Sequence, residues 1–262
     1  MMMICSRLLL GVLLLIMIVQ SRSLKQTALK NQHLFLVSSL QDGIIRQKHA
    51  QEKLKASVCT LGSKERIRLL YIPTASYAIK RTSTVTKGLQ RQRARRDGKA
   101  KRDAMCQLLS DFSFSIDAVT LDFWDESLKQ ATSASAWKCD SAVEALDTAH
   151  IILVDGGNTF WLWQNIERFS NRIQRVPIYI GVSAGAIVAG RHISVALWKG
   201  WDDPDVIRPP RSWKSVRGLD LAKGASFFPH HNESQWGSLV ARERFHHEPL
   251  VTLNEDEAFI IQ

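Results

Sequence analysis

A serine between two glycines is the first candidate for chemistry in this sequence. The stretch "YIGVSAGAIVAG" (179–190) has an apolar run typical of a strand, then Ser183 between Gly181 and Gly185, then small residues typical of a helix. On a tight strand-to-helix turn the serine Oγ is exposed as a nucleophile, and the following N–H groups can hold an oxyanion. The pattern indicates a nucleophilic serine, although GxSxG also occurs by chance in ordinary turns.

A second glycine turn follows another apolar run. In "HIILVDGGNTF" (150–160) the strand pattern ends at Gly156 and Gly157, and Asn158 can cap the helix that begins after it. Ligands of open parallel sheets bind outside the carboxyl ends of the strands. We therefore expect both glycine turns to face one site, with an N–H of Gly157 directed at the substrate oxygen. The simpler alternative is a tight turn with a helix cap.

Candidate partners for the serine occur near the end of the chain. "FFPHHNESQ" (227–235) contains His230 and His231, and the strand pattern of "VTLNEDEAFII" (251–261) is interrupted by the acidic run 255–257. A serine nucleophile needs a base within hydrogen-bond reach, and a carboxylate can orient that base. The alternatives are a surface histidine pair and an acidic turn.

The elements that would position these residues alternate between strands and helices. Strands are predicted at 33–40, 67–76, 114–123, 150–157 and 176–183, with helical patterns between them. Such alternation predicts an α/β fold with a mainly parallel central sheet covered on both faces, since its central strands lack polar alternation. We expect one domain over residues 24–262.

The first 21 residues have the pattern of a targeting segment. Arg7 precedes an apolar run at 8–19, which predicts a signal peptide cleaved near Ser21. The alternatives are an uncleaved signal anchor or an organelle-targeting signal. We accordingly expect a secretory or extracellular protein without stable membrane association, or else one that is membrane-anchored or organelle-targeted. The wide spacing of Cys59, Cys106 and Cys139 indicates neither a disulfide framework nor a metal site.

The net charge of +10 is concentrated in the basic run "KGLQRQRARRDGKAKR" (87–102). Such runs can bind nucleic acid or anionic membranes, but the aromatic residues that would support nucleic-acid binding are absent. We expect a solvated helix face and no nucleic-acid partner. The histidine-rich stretches at 230–233 and 246–248 lack the HExxH spacing, so no metal is expected.

Four segments in one order carry a family resemblance. "ILVDGGNTFWL", "YIGVSAGAIVAG", "GLDLAKGASFFPHHNESQ" and "LNEDEAFII" resemble the peptidase E / cyanophycinase family of serine peptidases, over roughly residues 33–261. The resemblance implies a three-layer α/β sandwich of the flavodoxin-like or class I glutamine-amidotransferase-like kind. It also implies a Ser-His-Glu triad and no cofactor. The α/β-hydrolase fold is disfavoured because its acid precedes its histidine.

Motif matching assigns the roles that the family implies. Ser183 matches the nucleophile, His230 the general base and Glu255 the carboxylate, while Gly157 and Ala184 match the oxyanion-hole donors. The implied activity is that of a dipeptidase or exopeptidase that acts on aspartyl or other acidic peptides through an acyl-enzyme.

Two other functions stay open at this point. One is a cyanophycinase-like hydrolase of a β-linked aspartyl polymer. The other is a catalytically inactive homologue, or a protein that binds anions or nucleic acid through residues 87–102. Ungapped counting places Trp198 where peptidase E carries an aspartate tied to substrate recognition, which leaves the aspartyl preference open.

The substrate-binding candidates lie near the two turns and in the segment after the serine. They are Asn158, Thr159, Asp202, Asp203, Arg208 and Arg211. The two arginines belong to the stretch 208–217, which fits an inserted loop whose cations can bind a carboxylate. The expected partner is a small peptide substrate, and a homodimer is one candidate assembly.

Overall fold

The apolar runs form strands of one mixed sheet in the computed structural model, which describes residues 32–62, 66–78, 84–123, 127–130, 136–207, 212–213, 215–247 and 249–262. The described strands are β1 (His33–Val37), β2 (Ile67–Ile72), β3 (Ile116–Asp122), β4 (Ser127–Gln130), β5 (Ile151–Val154), β6 (Ile178–Val182), β7 (Ser226–Phe228), β8 (Leu250–Thr252) and β9 (Ala258–Ile261). Residues 32–262 cluster as one compact unit. The predicted targeting segment 1–21 and the candidates Arg208 and Arg211 lie outside the described residues.

The main sheet has seven strands in the order β4-β3-β2-β5-β6-β1-β9. Its five inner strands are parallel, while β4 pairs antiparallel with β3, and β9 antiparallel with β1. Strands β7 and β8 pair in parallel in a separate small sheet. The predicted α/β fold with a mainly parallel sheet is confirmed. The carboxyl ends of β1, β5 and β6 therefore lie side by side at one edge of the sheet.

Helices cover both faces of this sheet. They are α1 (Lys48–Cys59), α2 (Lys87–Asp111), α3 (Ala142–Thr148), α4 (Thr159–Ile166), α5 (Ser170–Ile173), α6 (Ala184–Ala189) and α7 (Glu233–Glu243). Successive strand residues point to opposite faces. Thus Phe35 belongs to a buried cluster with Leu54 of α1 and Met105 of α2, whereas Leu34 and Leu36 belong to the opposite cluster with α3 to α6.

One expectation from the sequence is wrong, and the expected solvated helix face describes only one side of its helix. The stretch 251–261 is not one interrupted strand: β8 pairs with β7, and β9 crosses to β1. The basic run is not uniformly solvated, because the side chain of Arg102 is only 9% exposed and Arg91 forms an ion pair with the buried Asp122. Its sheet-facing side carries arginines because buried carboxylates lie opposite them.

None of the described helices combines the length and apolar character that crossing a membrane requires. In the described part of the chain, no group of three or more histidine, cysteine or acidic side chains is arranged to hold a metal ion.

Candidate active site

Ser183 sits on a strained turn between β6 and α6. Its backbone has φ 49° and ψ −106°, a conformation rarely adopted by a residue with a side chain. A Cβ at Gly185 would lie 2.2 Å from the carbonyl oxygen of Val154, and a Cβ at Gly181 would lie 2.6 Å from the carbonyl oxygen of Gly185. Glycine at both positions therefore lets the start of α6 approach the neighbouring strand, which holds the serine at the sheet edge.

His230 and Glu255 converge on this serine from separate loops. The Oγ of Ser183 lies 2.9 Å from Nε2 of His230, and Nδ1 of the same ring lies 2.6 Å from Oε1 of Glu255. A carboxylate beside Nδ1 favours the proton on that nitrogen, which leaves Nε2 free to accept the serine proton. The side chain of His230 is 25% exposed and that of Glu255 is 57% exposed. The geometry thus joins the three matched residues in one hydrogen-bonded chain.

The backbone of His230 is itself strained, with φ 53°. Its N–H donates to Oγ of Ser38 at 2.7 Å, and its carbonyl accepts from Nζ of Lys199 at 2.8 Å. The Lys199 ammonium also donates to the carbonyl of Pro229. A strained backbone persists only where surrounding contacts fix it, so these side chains hold the imidazole in place. Sequence reasoning missed both; for Ser38, its position at the carboxyl end of β1 was the available signal.

Lys199 is enclosed by aromatic rings. Its Nζ lies 4.4 Å from the ring centroid of Trp201, 4.3 Å from that of Phe228 and 5.2 Å from that of Trp236. Burial lowers the pKa of Lys199 to about 8, an effect that the carboxylates of Glu255 and Asp202 partly offset. Cation–π contacts stabilise the charged form in this partly dry environment.

The second glycine turn lies against the serine. A Cβ at Gly156 would be 3.1 Å from the Cβ of Ser183, and Gly157 has φ +138°. The carboxylate of Asp155 accepts hydrogen bonds from the N–H of Gly156 at 2.7 Å and from the hydroxyl of Tyr71 at 2.6 Å. These contacts fix the turn at the carboxyl end of β5, beside the exposed oxygen.

Comparison with known proteins identifies the family of this chain. The family model of peptidase family S51 matches residues 128–262, which include both glycine turns, His230 and Glu255. The chain belongs to peptidase family S51. It is accordingly a serine peptidase, and the predicted relationship to peptidase E is confirmed.

Two solved structures share the fold of this S51 peptidase. One is a Listeria monocytogenes EGD-e protein named for peptidase E, with a TM-score of 0.53 and 20% identity over 88% of this chain and 94% of that one. The other is a peptidase from an acI-B1 Actinobacterium, with a TM-score of 0.50 and 19% identity over 88% of this chain and 83% of that one. None of the curated proteins matches the chain.

Two cavities adjoin the serine of the S51 peptidase. An open cleft of about 620 Å³ is lined by Ser183, His230, Glu255, Gly157 and Lys101, among others. A much smaller cavity of about 30 Å³ lies on the other side of the serine, with Lys199, Trp201 and Asp202 in its wall. A peptide therefore has an open approach along the cleft, and only a small group fits the inner cavity.

The remaining substrate-binding candidates hold the start of α4. The Oδ1 of Asn158 caps the helix by accepting from the N–H of Trp161 at 2.8 Å, and its Nδ2 donates to the carbonyl of Asp203 at 3.0 Å. The N–H of Thr159 donates to Asp202 at 3.0 Å. These contacts give the residues a structural part, and within this group Asp202 also faces the inner cavity.

Proposed function

We propose that this S51 peptidase cleaves short acidic peptides through Ser183, with His230 as general base and Glu255 as the carboxylate that orients it. The observation that carries the proposal is the unbroken hydrogen-bond chain from Glu255 through His230 to the Oγ of Ser183. The hydrogen-bond chain ends on a serine whose backbone is strained in the way expected of an exposed nucleophile.

The geometry supports hydrolysis in two steps. His230 takes the Oγ proton as Ser183 attacks the peptide carbonyl, and the resulting oxyanion accepts hydrogen bonds from the N–H groups of Gly157 and Ala184. His230 then gives the proton to the departing amine, which leaves an acyl-serine. Water deprotonated by the same imidazole adds to this ester, and breakdown of that adduct releases the carboxylic acid and restores the serine.

Two observations support the donor assignment. Ala184 is the first residue of α6, where helical N–H groups have no acceptor within the helix. Among the described residues, the N–H of Gly157 is paired with no acceptor, and this glycine lines the cleft together with Ser183. Each group is therefore available to a substrate oxygen.

The preference for acidic substrates rests on the cations at the site. Lys199 lines the inner cavity, and Lys101 lines the open cleft, where its ammonium is paired with the buried carboxylate of Asp155. An ammonium group in a partly dry wall favours a bound carboxylate. The inner cavity of about 30 Å³ favours a short acidic side chain over a long one.

The test is hydrolysis of a dipeptide panel by wild type and Ser183→Ala. The panel contains α-aspartyl, β-aspartyl, glutamyl and neutral dipeptides. We expect turnover to be highest for an aspartyl substrate and to fall by on the order of 10⁶-fold in the variant, as when other serine peptidases lose the nucleophile. A fluorophosphonate probe should label the wild type at Ser183.

A matched control is Ser110→Ala, which removes an exposed serine hydroxyl at the end of α2. It should keep wild-type turnover. Unchanged hydrolysis in Ser183→Ala would refute the mechanism. Equal rates for acidic and neutral dipeptides would refute the substrate preference and leave the mechanism intact.

A further inference from the structure

A third cavity lies away from the serine, beneath α2. It has a volume of about 260 Å³ and lies against the last residues of β2 and β3, where Tyr71 and Thr120 form its floor. Helix α2 separates it from the catalytic cleft, because Lys101 of this helix lines the cleft whereas Arg102 lines the third cavity. Carboxyl ends of parallel strands are where ligands of such sheets bind.

The sheet-facing side of α2 changes character along its length. Near the carboxyl end it is apolar, with Met105 and Leu109 fully buried. Toward the amino end of the helix, Arg95, Gly98 and Arg102 have the spacing of one helix face, and both arginines point toward the sheet. A Cβ at Gly98 would lie 2.7 Å from the hydroxyl oxygen of Tyr71, so glycine lets the helix approach this tyrosine closely.

The cavity has an excess of positive charge among the described residues. Four cationic side chains line it: Arg95, Lys99, Arg102 and Lys129. Asp122 forms ion pairs with Arg95 and with the neighbouring Arg91. Asp103 forms ion pairs with Lys99 and Arg102. Two carboxylates thus face five cations, and a partly buried excess of one sign favours an anion.

Arg102 offers unused hydrogen-bond donors to this cavity. Its side chain is only 9% exposed. Within the described residues its Nε and one terminal nitrogen donate to Asp103, and the other terminal nitrogen donates to Oγ1 of Thr120 at 2.8 Å. Of the five guanidinium N–H groups, two remain for another acceptor. Lys129 of β4 lies directly opposite Thr120 in the sheet, which brings a second cation to the same floor.

We propose that this cavity binds a compact phosphate dianion, either inorganic phosphate or the phosphate group of a small monoester. Its cationic donors come from helix α2 on one side and from Lys129 of strand β4 on the other. Such convergence suits a tetrahedral oxyanion, whereas a planar carboxylate is satisfied by a single arginine fork. The ring of Pro73 in the wall provides an apolar surface for a small organic group.

The test is calorimetric titration of the full-length protein with inorganic phosphate and, separately, with glycerol 3-phosphate at constant ionic strength. The cavity variant is Arg95→Gln with Lys99→Gln, which spares the buried Arg102. The control is Arg93→Gln with Arg96→Gln, which removes the same charge from the exposed side of the same helix. Thermal unfolding verifies that both variants fold.

We expect saturable binding of one phosphate per chain, weakened at least tenfold in the cavity variant and less than twofold in the control. The probe that binds more tightly identifies free phosphate or a monoester as the ligand. Equal weakening in both variants would mean that net charge alone attracts the anion and would overturn the proposal. Absence of saturable binding of either probe to the wild type would also overturn it.

Discussion

Replacing Gly157 by alanine tests the oxyanion site at a position that has no room for a side chain. The added Cβ would lie 2.4 Å from the carbonyl carbon and oxygen of Ala75 and 2.6 Å from the nitrogen of Ser76, all of them backbone atoms. The φ of +138° is also a conformation that side chains rarely adopt. Because no flexible side chain can give way, the turn itself must move.

The size of that movement sets the expected effect. Restoring an ordinary contact of 3.4 Å requires a shift of about 1 Å. A displacement of about 1 Å from productive geometry costs on the order of 10²-fold in rate, and loss of one oxyanion donor costs roughly 10²- to 10³-fold in kcat. We expect kcat to fall by this amount with a small change in KM, because the lost hydrogen bond forms mainly in the transition state.

The assay is steady-state hydrolysis of the best aspartyl dipeptide, with thermal unfolding of the same samples. The matched control is Gly62→Ala, since Gly62 also has a left-handed φ of +66° but no heavy atom within 4 Å of the added Cβ. That control should lose about 1–2 kcal/mol of stability and keep its kcat. A folded Gly157→Ala protein with kcat within threefold of wild type would refute this oxyanion assignment.

Two further predictions concern the groups around His230. Glu255→Gln should lower kcat by on the order of 10²-fold, less than the roughly 10⁴-fold seen for a buried triad aspartate. The loss is smaller because the side chain of Glu255 is 57% exposed, so water can replace the carboxylate. An unchanged kcat in steady-state kinetics would contradict this prediction. The pKa of Lys199 in the folded protein, about 8, lies below its usual 10.5, so the unfolded chain binds more protons between these values and stability rises with pH there. Urea unfolding at pH 7, 9 and 10.5 should therefore show wild type gaining stability relative to Lys199→Met, and a constant difference would refute this.

The parts of the structure that could be predicted are those decided over a few neighbouring residues. Ile151–Val154 and Ile178–Val182 are wholly apolar and end at glycine-containing turns, so both their burial and their role as central strands follow from local sequence. The serine and the second glycine turn were located for the same reason. Their common placement at one sheet edge then follows from parallel pairing.

Contacts between distant parts of the chain could not be predicted in this way. Ser38 and His230 are 192 residues apart, and the stretch "VSSL" indicates only that the first serine follows an apolar strand, not that it accepts a histidine N–H. In the sequence, Lys199 has the pattern of an ordinary surface lysine. Its enclosure needs the rings of Phe228 and Trp236 from other segments beside that of the nearby Trp201. The inward arginines of α2 likewise depend on the carboxylate of Asp122, which only the fold places opposite them.

The carboxyl end of β1 positions all three proposed catalytic residues. The carbonyl of Val37 accepts the N–H of Ser183 at 2.9 Å, and the next residue, Ser38, accepts the N–H of His230 at 2.7 Å. Both acceptors therefore hold residues whose positive φ would otherwise relax. Because β9 runs antiparallel to β1, its first residue pairs with Val37, and the turn carrying Glu255 is brought to the same end of the sheet. A parallel strand at this edge would place its preceding turn at the opposite end, so the reversal of β9 is what lets the carboxylate reach the imidazole.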